Sequence, residues 1–197
     1  MIQCQSPCVR NRIRTVRQRL RPLAVRLLAL SGCLALGACG ASSHELASLA
    51  SHGVIHQGAP IHATSTVIIE APRERVWDTL VNVSRWPQWQ SGISKVTGDT
   101  TLATGTAFTW ETDGTTIHSQ VALFSPPNAV AWTGRAATAR AIHVFVLTSL
   151  GPNRTLVQSR ESMDGFLITW FYDSAALQKS EDKLLRNLAI AAQAGPQ

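Results

Sequence analysis

From Gly105 to Met163 apolar and polar residues alternate in runs rich in Thr, Trp, Phe, Val and Ile, and turn residues separate the runs. A period of two is the mark of strands with one buried face. Asp113-Gly114 lies between two such runs, the strongest short-range signal for a two-residue hairpin. With Thr112 opposite Thr115, Trp110 faces Ile117 and Phe108 faces Ser119, because partners in an antiparallel ladder keep a constant sum. Phe108, Trp110, Ile117, Ser119, Val121 and Leu123 then share one face. The next turn, Pro126-Pro127-Asn128-Ala129, closes with Ser125 opposite Val130. That sets Leu123 opposite Trp132 and Val121 opposite Gly134, and it adds Trp132 to the same face. Thr109, Glu111, His118, Gln120 and Thr133 fall on the other, as a sheet wet on one side requires.

Ahead of this meander, Ala63 to Glu70 reads as a first strand, β-branched and ended by Ala71-Pro72. Pro72 suits the first turn of a helix in which Val76, Trp77, Leu80 and Val81 recur at helical spacing. A second short helix is predicted over Ser84 to Gly92, carrying Trp86-Pro87-Gln88-Trp89, and a short strand over Lys95 to Asp99. Trp77, Trp86 and Trp89 read as core residues, since burying each contributes roughly 2 to 3 kcal/mol. Ala141 to Thr148 and Thr155 to Ser162 form the last two strands, with two possible registers. A four-residue loop pairs His143 with Ser162, and a five-residue loop with a bulge pairs His143 with Glu161. From Gly165 onward the period becomes helical. Leu167, Trp170, Phe171, Ser174, Leu177, Glu181, Leu184, Leu185, Leu188 and Ala192 follow one stripe, which predicts one long amphipathic helix covering the apolar wall of the sheet.

Composition changes the picture at the N-terminus. The formal charge of +6 comes from 18 basic and 12 acidic residues, and seven of the basic ones are Arg10, Arg12, Arg14, Arg17, Arg19, Arg21 and Arg26. The first acidic residue is Glu45, so 18 less 7 leaves 11 basic against 12 acidic beyond residue 26. The domain is near neutral, and a nucleic-acid partner is not expected. All four cysteines (Cys4, Cys8, Cys33, Cys39) precede residue 40, so the domain can hold no internal disulfide.

An Arg-rich stretch followed by ten residues, Leu27 to Leu36, has the layout of a secretory signal, too short to span a bilayer as a mature helix. Its end, Leu36-Gly37-Ala38-Cys39, resembles the lipobox of bacterial lipoproteins, which implies lipid attachment at Cys39. Leu30-Ser31-Gly32-Cys33 fits the same pattern but leaves an apolar core of only about four residues, shorter than the usual signal core. The predicted organisation is a signal over 1–38, a lipidated cysteine and flexible linker over 39–61, a domain over 62–193 and a tail over 194–197. By resemblance to the enterobacterial sorting rule, Gly40 after the cysteine points to the outer membrane. In the linker His52 and His56 have the spacing of a helical metal pair, but no third ligand follows and Gly53 and Gly58 oppose a helix. No metal and no cofactor are expected.

A strand, two short helices, a six-stranded meander and a long closing helix resemble the START-like or Bet v 1-like (SRPBCC) superfamily, and its polyketide cyclase/dehydrase branch in particular. The resemblance is carried by Ala71-Pro72-Arg73-Glu74-Arg75-Val76-Trp77, Trp86-Pro87-Gln88-Trp89, Gly105-Thr106-Ala107-Phe108-Thr109-Trp110, Ala131-Trp132-Thr133-Gly134, Glu161-Ser162 and Leu184-Leu185-Arg186-Asn187-Leu188. It implies an α+β helix-grip fold, a curved antiparallel sheet wrapped around the C-terminal helix with a cavity between them. Phe108, Trp110, Ser119, Val121, Trp132, His143, Phe145, Glu161 and Trp170 are the expected ligand-binding residues. The resemblance also favours the bulged register and a His143 to Glu161 pair, the candidate catalytic residues. Three functions stay open: a carrier of a hydrophobic lipid, quinone or polyketide-like molecule, a cyclase or dehydratase using His143 and Glu161, and an interaction domain whose cavity is filled by its own side chains.

Overall fold

In the computed structural model of the chain the described residues are 41–195, less 138, 166 and 167; the signal segment, Cys33 and Cys39 lie outside them. Seven strands form one antiparallel sheet: β1 (Ile61–Ile69), β2 (Ile93–Gly98), β3 (Ala107–Thr112), β4 (Thr115–Ser125), β5 (Ala129–Ala136), β6 (Ala139–Gly151) and β7 (Arg154–Gly165). Their order is β1-β7-β6-β5-β4-β3-β2, so β2 to β7 meander and β1 pairs with the last strand. Four helices complete the fold, α1 (Ser43–Ser51), α2 (Arg73–Val81), α3 (Trp86–Trp89) and α4 (Ser174–Ala194). The architecture is the α+β helix grip. Among the described residues no helix is long and apolar enough to cross a membrane.

The β3/β4 hairpin has the expected register, with Thr112 opposite Thr115 and Trp110 opposite Ile117. Asp113 and Gly114 both have positive φ (47° and 79°), as a twist-matched two-residue turn demands. The β4/β5 register differs from the expectation. Ser125 pairs with Ala129, Leu123 with Ala131 and, after a bulge between Val121 and Leu123, Val121 with Trp132. The extra residue reverses the alternation. Leu123 therefore leaves the inner face and packs on the outer one with Ala131, while Trp132 stays inside. Between β6 and β7 the bulged register holds: His143 pairs with Glu161, and the irregularity falls between Ser149 and Gly151.

The closing helix starts at Ser174, nine residues later than the stripe predicted. Asp173 is extended, and its side chain accepts from the Ala176 backbone N–H at 2.7 Å, an N-cap that ends any helix arriving from upstream. Trp170 ends a one-turn 3-10 helix (Ile168–Trp170) and Phe171 follows in a turn, at 76% and 84% exposure, not on the inner stripe. From Leu177 the stripe reads as expected, with Leu177, Glu181, Leu185, Leu188 and Ala192 buried. Ser65 of β1 donates to Asp182 at 2.6 Å and fixes the helix against the sheet edge.

The stretch expected to be a flexible linker is folded from Ala41 onward. Ser42 caps α1 by accepting from the Glu45 N–H. Ala41, Leu46, Ala50 and Ile55 then bury against Ala131, Ile142 and Val144 on the outer face. Gly53 (φ 66°) ends the helix and does not prevent it. The Arg160 guanidinium donates to its carbonyl at 2.9 Å, and His56 Nδ1 meets Asp164 at 2.8 Å. His52 and His56 thus serve separate partners.

Candidate functional site: an aromatic cavity with a buried acid–base cluster

Register builds the site. Because Trp132 pairs with His143 and His143 with Glu161, these three side chains line up across β5, β6 and β7 on the inner face. Two residues along, Phe145 stacks on the His143 ring with centroids 4.2 Å apart. The aromatic group extends through Trp132 to Trp86, whose ring also meets Trp110 and Phe108 at 5.6 and 5.8 Å. Between this wall and α4 lies a cavity of about 140 Å³, bordered by Leu80, Trp86, Trp89, Ile93, Trp110, Trp132, Phe145 and Leu184, by His143, Glu161 and Glu181, and by Arg135 and Arg140. A wider polar groove between α2 and the end of α4 shares only Trp89 with it.

Glu181 descends from α4 onto the imidazole. The Nε2 of His143 donates to Glu181 Oε2 at 3.1 Å and to Ser159 Oγ at 2.7 Å, while the Ser159 hydroxyl donates onward to Glu181 through a short contact. The other nitrogen, Nδ1, faces Glu161 Oε2 at 3.9 Å. Both His143 and Glu181 are buried, and the Glu161 side chain is 16% exposed towards the cavity.

Burial alone would lower the His143 pKa, but the charges of Glu181 and then Glu161 outweigh it and raise it. Burial would likewise raise Glu181, yet the charge of His143 and hydrogen bonds from His143 and Ser159 hold it below the usual range. Glu161 is pushed up to about 8, by burial first and then by Glu181, against the pull of His143. At neutral pH Glu161 is therefore mostly a neutral carboxylic acid, set beside a Glu181 whose carboxylate form is favoured and a His143 whose protonated form is favoured. Two carboxyl groups around one histidine are driven to opposite protonation states, the separation that distinguishes an acid from a counter-ion.

This has a measurable consequence. A folded-state pKa raised above the unfolded value contributes stability that is complete below the unfolded pKa and is lost as pH rises through the folded one. For Glu161 the window runs from 4.5 to about 8, and partial solvent access trims the loss to roughly 2 to 4 kcal/mol. Urea unfolding across this range should show stability falling as pH rises, and Glu161→Gln should flatten the slope. Equal slopes in the two proteins would remove Glu161 as its source.

The chain matches the family described as polyketide cyclase/dehydrase and lipid transport over residues 60–192. It belongs to that family. Among solved structures, a hypothetical protein from Helicobacter pylori is similar at 19% identity, with 69% of this chain and 90% of that one covered and a TM-score of 0.62. An aromatase/cyclase from Streptomyces sp. R1128 is similar at 16% identity, covering 69% and 98%, with a TM-score of 0.59. A START superfamily protein from Mycobacterium smegmatis is similar at 19%, covering 68% and 94%, at 0.52. At these identities the likeness is one of fold. No curated protein matches the sequence.

Within this polyketide cyclase/dehydrase fold the expected site residues divide. Trp110, Ser119, Trp132, His143, Phe145 and Glu161 border the cavity. Phe108 and Val121, expected to touch ligand, are buried at 2% and 1% exposure in the core behind the wall. Trp170 points into solvent. Trp86 and Trp89, read as core alone, are wall residues as well. Glu181 and Ser159 were not anticipated as site residues, although a carboxylate inside an otherwise apolar helical stripe is the visible sign of Glu181. Among the described residues His143, Glu161 and Glu181 are the one group able to bring three metal-ligating atoms together, within 4.8 Å of one another. The two carboxylates, however, address opposite nitrogens of one ring, an arrangement suited to sharing protons and not to a single ion.

Proposed function

We propose that this protein binds a hydrophobic or aromatic small molecule in the cavity between sheet and α4, and that it does so in the bacterial envelope, held by lipid on Cys39. The carrying observation is a cavity walled by indole and phenyl rings and bordered by the His143, Glu161 and Glu181 cluster, the design of a site that gains affinity from apolar burial and orientation from a few polar groups. The family's description, which includes lipid transport, supports a carrier role. Lipid on Cys39 would fasten the domain to the outer membrane, since several acyl chains give stable anchoring and one does not. Native mass spectrometry of the protein purified from its own membranes should reveal a retained small molecule, and Cys39→Ser should release the protein from the membrane fraction. An empty, fully folded protein would favour the filled-cavity alternative. Membrane association lost only in Cys33→Ser would move the lipid to that residue.

A second reading has its own observation, the neutral carboxyl of Glu161. Such a group can protonate a carbonyl or a departing hydroxyl, the acid half of an enolisation or dehydration, as the aromatase/cyclase from Streptomyces sp. R1128 suggests by its name. Against it, the Glu181 charge favours the protonated form of His143, which weakens the imidazole as a base. Turnover of a β-hydroxy ketone that vanishes in Glu161→Gln, with stability intact, would promote this reading over carriage.

A further inference from the structure

We propose that Trp170 and Phe171, together with Arg135 and Arg140, dock on the anionic headgroup layer of a phospholipid bilayer. This rests on the envelope location inferred above and names the face that meets the lipid.

Trp170 and Phe171 are the two most exposed large apolar side chains among the described residues. Structure on either side holds them out. The Phe171 and Tyr172 backbone N–H groups both donate to the Ile168 carbonyl, at 3.1 and 2.9 Å. Ile168 and Tyr172 pack into the cluster of Ile61, Ala63, Met163 and Leu177, and the Asp173 cap follows at once. These anchors bury the neighbours and leave the pair outside. Adjacent indole and phenyl rings are costly to leave in water, whereas at a bilayer surface the rings enter the acyl boundary and the indole N–H stays among the headgroups.

Arg135 and Arg140 stand at the same end of the sheet. They face each other across β5 and β6, and Arg140 also pairs with Asp164, one residue before β7 ends and the chain turns towards Trp170. Like charges directly opposite destabilise a ladder. Among the described residues neither guanidinium has an ion-pair partner, and the Asp164 carboxylate is held by His56 at 2.8 Å. A layer of phosphates offsets both charges, since a guanidinium binds phosphate through two parallel hydrogen bonds. A second copy of the chain seated on the same patch would bring two more cations to it, which favours lipid over a dimer.

The attachment point is close. Ala41 is buried at 6% exposure in the outer-face cluster that includes Ile142, two positions along β6 from Arg140. Two residues of chain from Cys39 span at most about 7 Å, so acyl chains there would hold the folded domain itself at the bilayer. Ala136, Ala139 and Met163 border the cavity, and lipid docked at this end lies next to that border.

Tryptophan fluorescence of the protein purified from its own membranes tests the docking, because of the six tryptophans only Trp170 is exposed. Vesicles of phosphatidylcholine and phosphatidylglycerol brominated on their acyl chains should quench the emission. Trp170→Phe, which keeps a ring for insertion, should lose most of that quenching. The ratio of docked to free protein should fall about 25-fold in Arg135→Gln/Arg140→Gln, a factor of about five for each charge, and pure phosphatidylcholine should act like this double variant. Quenching that persists in Trp170→Phe would mean that another face meets the lipid, and equal quenching on neutral vesicles would overturn the part of the arginines. A dimer in sedimentation that Trp170→Ser separates would give the patch to a second copy. All three outcomes leave ligand binding and the Cys39 anchor standing. Membrane association unchanged in Cys39→Ser but lost in Trp170→Ser/Phe171→Ser would instead bring down the anchor and keep this surface.

Discussion

Glu181→Ala should lower stability by about 3 to 5 kcal/mol in denaturant unfolding, because it strips the buried His143 of the carboxylate that hydrogen-bonds it and favours its protonated form. His143 and Glu181 are 8% and 4% exposed at the side chain and 3.1 Å apart. Ser159 would lose its acceptor in the same stroke. An exposed pair sets the contrast: Arg154 and Glu70, at 53% and 63% exposure, should contribute about 0 to 1 kcal/mol. The damage should be repairable. In Glu181→Ala/His143→Phe the new ring can stack between Trp132 and Phe145 with no charge to satisfy, and most of the loss should return. The pH dependence carries the opposite sign to that of Glu161. The depressed pKa of Glu181 contributes stability above its unfolded value, lost as pH falls through the folded one. A single mutant as mild as loss of the Arg154–Glu70 pair, or a double mutant no better than the single, would mean that the cluster does not hold the helix to the sheet.

What could be read in advance depended on how local the determinant was. The Asp113-Gly114 hairpin was legible because two adjacent residues must adopt positive φ there, and few other dipeptides can. The bulge beside Ala122 was not, because Val121-Ala122-Leu123-Phe124 is apolar throughout and shows no alternation to break. Trp132 was placed on the correct face only because two departures add up to an even shift: a tighter turn at Ser125–Ala129 moves the register by one residue, and the bulge moves it by one more in the same direction. Leu123, lying between the two, was misplaced. The early helix was hidden by composition, since Leu46 and Leu49 stand among alanines and serines that resemble linker filling until a sheet lies against them. Trp170 failed for the reverse reason. Its spacing continues the stripe of α4, but spacing carries no sign of where the helix begins, and the cap at Asp173 does. Glu181 stood in plain view inside the stripe. Its partner is 38 residues away in the chain, and only the packed fold could say which polar group it was placed to meet.

Trp86→Ala should be the most damaging single change to the aromatic wall, lowering stability by about 3 to 5 kcal/mol. At 5% exposure Trp86 touches Phe108, Trp110 and Trp132, and without it the Leu80 carbonyl loses the indole donor at 2.9 Å. Trp77→Ala, equally buried and packed on Phe124 at 5.3 Å, should cost a similar amount. The two differ in where the void opens. Trp86 borders the cavity, so its removal joins the new space to the old one, while Trp77 is not among the lining residues and leaves a separate hole. Adding 2-acetylnaphthalene, a two-ring ketone too large for the native cavity, should therefore restabilise Trp86→Ala and leave Trp77→Ala unchanged. A ligand that binds only the folded state at 100 times its Kd contributes about 2.7 kcal/mol, which would return most of the loss. Urea midpoints measured with and without the ketone separate the outcomes. Rescue of both variants would point to binding outside the cavity, and rescue of neither would mean that the wall collapses when Trp86 is removed, so that indole packing sets the shape of the pocket without setting the size of what it can hold.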